Sequence, residues 1–313
     1  MIAPPWHAEP WAQMQGRLAA GRMPHALLLA GPAGLGKRAF AERLARRLLC
    51  TAPTLEGEAC GRCRGCVLYG AGTHPDLLRV SFELNREGKP RSEIVIDQVR
   101  RLCDRLVLSS QFGGWKVALL DPADALNAAA SNALLKTLEE PTRDALLLLL
   151  ADVPSRLPAT IRSRCQRLTF RVPARTDAQA WLASQDLADA PVTLDAAGGN
   201  PGLALRQAAD GALQRRDAVR RDLAALAAGR ANAQALAQSW QQDDPAQRLW
   251  FAAQALADEL RARASGRRGP LGGSADAPTL GALFAQANRA REQLRGPLRG
   301  ELVLLDLLSQ RWS

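Results

Sequence analysis

The sequence predicts an α/β domain on a parallel sheet, followed by two all-helical pieces. Three observations carry this. Five short apolar runs alternate with amphipathic stretches, which is how strands buried on both faces read when helices cross between them. A glycine-rich turn, Gly31-Pro-Ala-Gly-Leu-Gly-Lys37, separates the first run from the helix after it. Beyond Phe170, Ala and Leu recur at helical spacing with no further strand pattern.

The elements follow in order. A short amphipathic stretch, 11–20, precedes the first strand, 26–30, which Pro24 and Gly31 bound. A helix over 38–49 comes next, then a second strand over 76–82. Asp97 reads as the N-cap of a helix over 98–109, where Val99, Leu102 and Leu106 repeat at helical spacing. Residues 115–120 form the third strand, and 127–140 a helix that Pro141 closes. Strands at 145–150 and 166–170 complete the sheet. Arg171-Val-Pro-Ala174 reads as a linker, and Gly198-Gly-Asn-Pro-Gly202 as a tight turn between helices. From 213 onward the pattern is helical, broken by a Gly/Pro-rich stretch over 265–278 that is expected to be mobile.

Composition narrows the class. With 47% hydrophobic and 23% charged residues in 313, the chain is globular, which excludes a disordered basic tail. No apolar run approaches the roughly 20 residues that span a bilayer. The first six residues carry neither a charged nor an apolar leader segment, so a soluble cytoplasmic protein with no membrane partner is expected. The net charge of +10 lies mostly in the first 170 residues. Only four of the 41 basic residues are lysines, so the surplus reads equally as a nucleic-acid face or as a solvated arginine-rich surface.

The turn at Gly31, Gly34, Gly36 and Lys37 fits the first seven positions of a nucleoside-triphosphate P-loop. Its glycines let backbone N–H groups curl round phosphate oxygens, and the lysine reaches the outer phosphates. Position eight should be Ser or Thr, whose hydroxyl holds Mg²⁺. Here it is Arg38, which has no lone pair to offer a metal. Asp121 supplies the acid that ends a downstream strand, as the second metal element requires, but Pro122 stands where a water-activating Glu is needed. Hydrolysis and Mg²⁺ binding are therefore not expected, while ATP or ADP binding without turnover stays open, as does the role of Arg38.

Cys50, Cys60, Cys63 and Cys66 have metal-ligand spacing, with glycines at 61 and 65 to permit tight turns. Four thiolates leave no open coordination position, so the Zn²⁺ they would bind is structural. Cys50 ends an amphipathic stretch and reads either as the fourth ligand or as a buried apolar cysteine. Cys103 and Cys165 read as core thiols.

These features occur together with Thr73-His-Pro-Asp76, Ser131-Asn-Ala-Leu-Leu-Lys-Thr-Leu-Glu-Glu-Pro141 and Ile161-Arg-Ser-Arg-Cys-Gln166. The set resembles the bacterial clamp-loader subunits of DNA polymerase III, members of the AAA+ class. Residues 132–141 and the Ser163-Arg-Cys165 triplet are the most specific part; the match covers most of 1–170 by motif and the remainder by layout. The resemblance implies a P-loop AAA+ domain over 1–170 with a zinc module at about 50–74. A small helical lid over 171–212 and a helical collar over 213–313 would follow. Hydrolysing members keep the hydroxyl, the glutamate and a nucleotide-sensing arginine where this chain has Arg38, Pro122 and Gly202. Three departures in one direction imply the non-hydrolysing, stator member.

In that family the Ser-Arg-Cys arginine, here Arg164, enters a neighbouring subunit's ATP site, where it acts as a finger on the γ-phosphate. Read alone, Arg164 is an ordinary surface arginine. Lys136 lies in a segment that would face DNA; read alone, it is the exposed side of a helix packed on the sheet, within i,i+4 reach of Glu140. The implied partners are gamma/tau and delta subunits in a hetero-pentamer, with the sliding clamp and primed DNA reached through the complex at the nucleoid. The DNA-directed DNA polymerase label would describe that holoenzyme, with no polymerase or ATPase chemistry in this chain. Two other readings are an ATP-hydrolysing gamma/tau-type subunit and a zinc-containing nucleic-acid-binding module with a vestigial nucleotide site.

Overall fold

The computed structural model describes residues 3–312 apart from 86, 90, 188, 295 and 297; Met1 and Ile2, at the head of the stretch read for a leader, lie outside it. The chain forms two compact units, Met1–Gln185 with Asn200–Leu203, and Asp186–Gly199 with Ala204–Ser313.

In the first unit α1 (Ala8–Ala19) leads into β1 (Ala26–Ala30), α2 (Lys37–Leu48) and α3 (Arg64–Gly70). Then come β2 (Leu77–Val80), α4 (Ile96–Leu106), β3 (Lys116–Leu120) and α5 (Ala128–Glu139). Next are β4 (Ala145–Ala151), α6 (Ala159–Arg162), β5 (Gln166–Thr169) and α7 (Arg175–Ala183). The five strands pair in parallel in the order β2-β3-β4-β1-β5. This is the predicted α/β architecture, and each strand falls inside its apolar run or within one residue of it.

The runs are continuous because both faces are covered. Leu27 and Leu29 of β1 pack with Trp11, Phe40 and Leu44 on one side. Leu28 packs with Val99, Leu102, Leu134 and Leu138 on the other. Each fully buried leucine contributes about 1.5–3 kcal/mol relative to exposure, so the alternation fixes which helix lies on which face.

One local reading changes here. Asp97 is not the N-cap of α4: the helix starts two residues earlier than expected, at Ile96, and Val95 occupies the cap with its N–H donating to Gln98 Oε1 (3.1 Å). Asp97 sits in the first turn, where a carboxylate favours the helix dipole. Asn127 does cap α5, accepting from the Ala130 N–H at 2.9 Å.

The second unit holds α8 (Ala190–Ala196), most of α9 (Pro201–Ala209), α10 (Ala212–Ala227), α11 (Ala233–Gln242), α12 (Pro245–Ala264), α13 (Ala277–Gln293) and α14 (Gly300–Leu308). Its core centres on Trp240, Leu249, Phe251 and Leu304. The stretch after α12, expected to be mobile, is tied down. Buried Glu259 accepts the Leu271 N–H at 2.8 Å, and Arg263, paired with Glu259 at 3.0 Å, donates to the carbonyls of Gly273 and Ala275. Leu271 and Ala275 enter the core. Among the described residues no helix is long and apolar enough to cross a membrane.

Candidate functional site

In an open parallel sheet the ligand crevice opens at the carboxyl ends of strands whose outgoing connections diverge. Here β1 leads to the β2 edge and β4 leads across to β5, so the crevice lies at the ends of β1 and β4. The P-loop, Asp152 and Asp121 all leave strands at this end, after β1, β4 and β3.

The loop needs its glycines. Gly36, at φ 81°, is the left-handed N-cap of α2, and a Cβ there would come within 2.7 Å of the His7 ring. Lys37 is buried and fully engaged: its Nζ donates to Gly31 O (2.6 Å), Pro32 O (2.9 Å) and Asp152 Oδ1 (2.5 Å). Arg38 turns the other way and forms an ion pair with Asp121. That hydrogen bond raises the guanidinium pKa above its ordinary value. The strand acid that would hold a metal thus holds an arginine. Lys37, Arg38, Asp121 and Asp152 make two cations and two anions, a locally balanced set.

The loop is also covered. Trp6 Nε1 (3.0 Å) and His7 Nε2 (2.9 Å) both meet Leu35 O. Asn200 Nδ2 donates to Ala33 O at 2.7 Å, while its Oδ1 accepts the Leu203 N–H at 3.0 Å. A Cβ on Gly202 would fall 1.9 Å from Gly34 O. Next to the loop a cavity of about 610 Å³ is lined by Trp6, His7, Gly36, Arg43, Glu58 and Trp181. Sequence reasoning missed Asp152, though its signal, an acid ending an apolar strand, is the one that picked out Asp121. Asn200 and His7 carry no comparable sequence signal.

The four cysteines come together. Their sulfurs all lie within 4.8 Å of one another, Cys50 Sγ being 3.6 Å from Cys60 Sγ and 3.8 Å from Cys63 Sγ. Tetrahedral coordination with Zn–S bonds of about 2.3 Å places sulfurs about 3.8 Å apart. The donor set and spacing therefore fit one such ion, with Cys50 in the set. Backbone N–H groups support it: Cys60 donates to Cys50 Sγ, Cys63 to Cys60 Sγ and Cys66 to Cys63 Sγ, at 3.3–3.4 Å. Burial opposes ionisation of Cys63, but bonds from Thr51 and Cys66 outweigh it and hold the thiol at about 5. Burial pushes Cys66 up to about 12. A bound cation would reverse that penalty.

The sequence profile of the family described as "DNA polymerase III, delta subunit" matches residues 6–174. The chain is 43% identical over 241 residues to "DNA polymerase III subunit delta'" of Pseudomonas aeruginosa, covering 75% of this chain and 70% of that protein. The chain belongs to the delta-prime family of DNA polymerase III subunits. Its Escherichia coli delta-prime relative is 39% identical over 64% of this chain, which spans 59% of that protein's length. Among solved structures, a gamma subunit-related protein of Thermotoga maritima matches with a TM-score of 0.47 at 15% identity, covering 95% of this chain and 97% of its own.

For a delta-prime family member, the remaining residue to place is Arg164. It follows α6, where its side chain donates to Thr160 O (3.0 Å) and pairs with Glu139 of α5 (2.7 Å). It is partly exposed. Cys165 beside it is buried, which pushes its thiol up to about 12. Lys136 is exposed on α5. Neither Arg164 nor Lys136 belongs to the cluster at the P-loop.

Proposed function

We propose that this chain is the non-hydrolysing stator of a clamp loader. It would assemble with gamma/tau and delta subunits into a hetero-pentamer that loads the sliding clamp onto primed DNA at the nucleoid. The Arg38–Asp121 ion pair carries the reading, because it places a fixed cation where hydrolysing sites keep a hydroxyl and Mg²⁺. Pro122 and Gly202 add to it. ATP turnover by this chain is then absent, and Zn²⁺ held by the four cysteines is structural.

In this reading residues 1–170 form the AAA+ domain, 171–212 the lid and 213–313 the collar. Arg164 works in trans. Its pairing with Glu139 is an exposed one of about 0–1 kcal/mol, so a neighbour's γ-phosphate can compete for the guanidinium. Reconstitution with the partner subunits tests the proposal by comparing the wild type with Arg164→Ala. The variant should assemble normally, while the adjoining ATPase site loses on the order of 10³-fold or more of its clamp- and DNA-stimulated rate. Unchanged stimulation in an assembled complex would sink the finger. Turnover by the purified chain that depends on Lys37 would remove the stator.

A further inference from the structure

His74 is buried at 4% exposure, tilted 34° against the Phe112 ring with centroids 5.0 Å apart. Its Nδ1 accepts the Asp76 N–H at 3.1 Å, which puts the ring proton on Nε2. The surroundings fix that orientation. Asp76, itself buried, accepts from Ser110 Oγ (3.0 Å) and the N–H groups of Gln111 (2.9 Å) and Phe112 (3.2 Å), which seats Phe112 against the imidazole.

The Nε2–H then has no acceptor among the described residues, although it is shielded from solvent. A buried donor without a partner is costly, and native structures rarely leave one. Its position shows where an acceptor is to be found. A Cβ on Gly65 would lie 3.5 Å from His74 Nε2 and 2.4 Å from Leu49 O. Gly65 immediately precedes Cys66, and Leu49 immediately precedes Cys50. The imidazole edge therefore sits beside the place where the two cysteine-bearing segments meet. Absence of a side chain at Gly65 keeps that edge open to the cluster.

Four thiolates on one divalent cation leave two excess negative charges, and N–H···S donors are what spread that charge. We propose that His74 is a positioning residue of the metal centre, its Nε2–H donating to a thiolate of the Cys63–Cys66 turn when the metal is bound. This rests on the metal reading of the four cysteines. The imidazole is not a ligand, since the cysteines already complete a tetrahedral set.

The test uses the full chain, stripped of metal and reloaded with Zn²⁺ against a chromophoric chelator, or with Co²⁺ or ¹¹³Cd²⁺. His74→Phe keeps a flat ring against Phe112 but loses the N–H; His74→Gln keeps an N–H. His74→Phe should retain the wild-type far-UV circular dichroism yet bind Zn²⁺ about tenfold more weakly. Its sulfur-to-cobalt charge-transfer bands should shift, and His74→Gln should recover most of both. In the ¹¹³Cd-loaded wild type, the His74 Nε2 proton should show scalar coupling to cadmium through the sulfur, a readout independent of whether any variant folds. Wild-type affinity and spectra in a folded His74→Phe chain, or a Nε2 proton uncoupled from cadmium and bonded to the Leu49 carbonyl, would overturn the assignment while leaving the metal centre intact. Failure of the wild type to take up any of the three metals would overturn both.

Discussion

Arg38, in the first turn of α2, and Asp121, at the end of β3, neutralise each other across the crevice that the P-loop lines. Arg38→Thr restores a hydroxyl at the eighth loop position without restoring the rest of a hydrolytic site, because Pro122 carries no carboxylate. Phosphate release from ATP should stay at background in this variant. Since the arginine is largely exposed, unfolding free energy in urea should change by no more than about 1 kcal/mol. A variant that gains turnover would show that the pair alone had silenced the site.

Gly202→Ala forces a methyl group against a backbone carbonyl that cannot rotate away. Displacement of the 200–203 segment should cost about 1–3 kcal/mol, read from the urea midpoint. Asn200→Ala loses only its own bonds to the Ala33 carbonyl and the Leu203 N–H, and should cost less. The reverse ranking would contradict the contact.

His7 gives an acid-dependent contribution. Burial lowers its pKa from the ordinary 6.5, against a weaker opposing effect of the bond to Leu35 O. The unfolded chain accepts a proton that the folded ring resists, so this contribution is present above 6.5 and lost as pH falls through the folded value. Between about pH 7.5 and 5.5 the wild type should lose more stability than His7→Gln. Parallel pH profiles would refute the assignment.

Metal removal should act locally. Because thiolate coordination is coupled to the fold of its own segment, chelation should open residues 51–62 to proteolysis, starting near fully exposed Leu55. The sheet should persist by circular dichroism. Identical digestion patterns with and without chelator would argue against a metal there.

Glu259→Ala removes the acceptor of the Leu271 N–H and the partner of Arg263. Loss of about 1–3 kcal/mol is expected, together with new cleavage sites over 265–276. A resistant loop would show that Leu271 and Ala275 hold it without the polar anchors.

The sheet was legible because doubly buried strands are written as uninterrupted apolar runs, as in 26–30 and 145–151. The cysteine cluster was legible for a different reason, since the spacing that brings the four together is itself local. What escaped depends on partners far along the chain. Asn200 meets Ala33 across 167 residues, and Glu259 and Arg263 hold a stretch whose glycines and prolines by themselves argue for mobility. Helix α3 escaped because Gly65 and Gly70 weaken its propensity; the Cys63 sulfur, accepting the Cys66 N–H, starts it instead. Asp97 misled because Val95 lacks a capping oxygen and Gln98 serves that end of the helix.

The apposition of Gly34 and Gly202 also constrains inheritance. A descendant that acquires a side chain at 202 must first loosen the segment resting on the loop, and one that changes Gly34 meets Asn200 and Leu203. Either step is penalised, and a change at one glycine does not relieve the clash at the other. Both positions should therefore stay glycine for as long as the 200–203 segment rests on the loop.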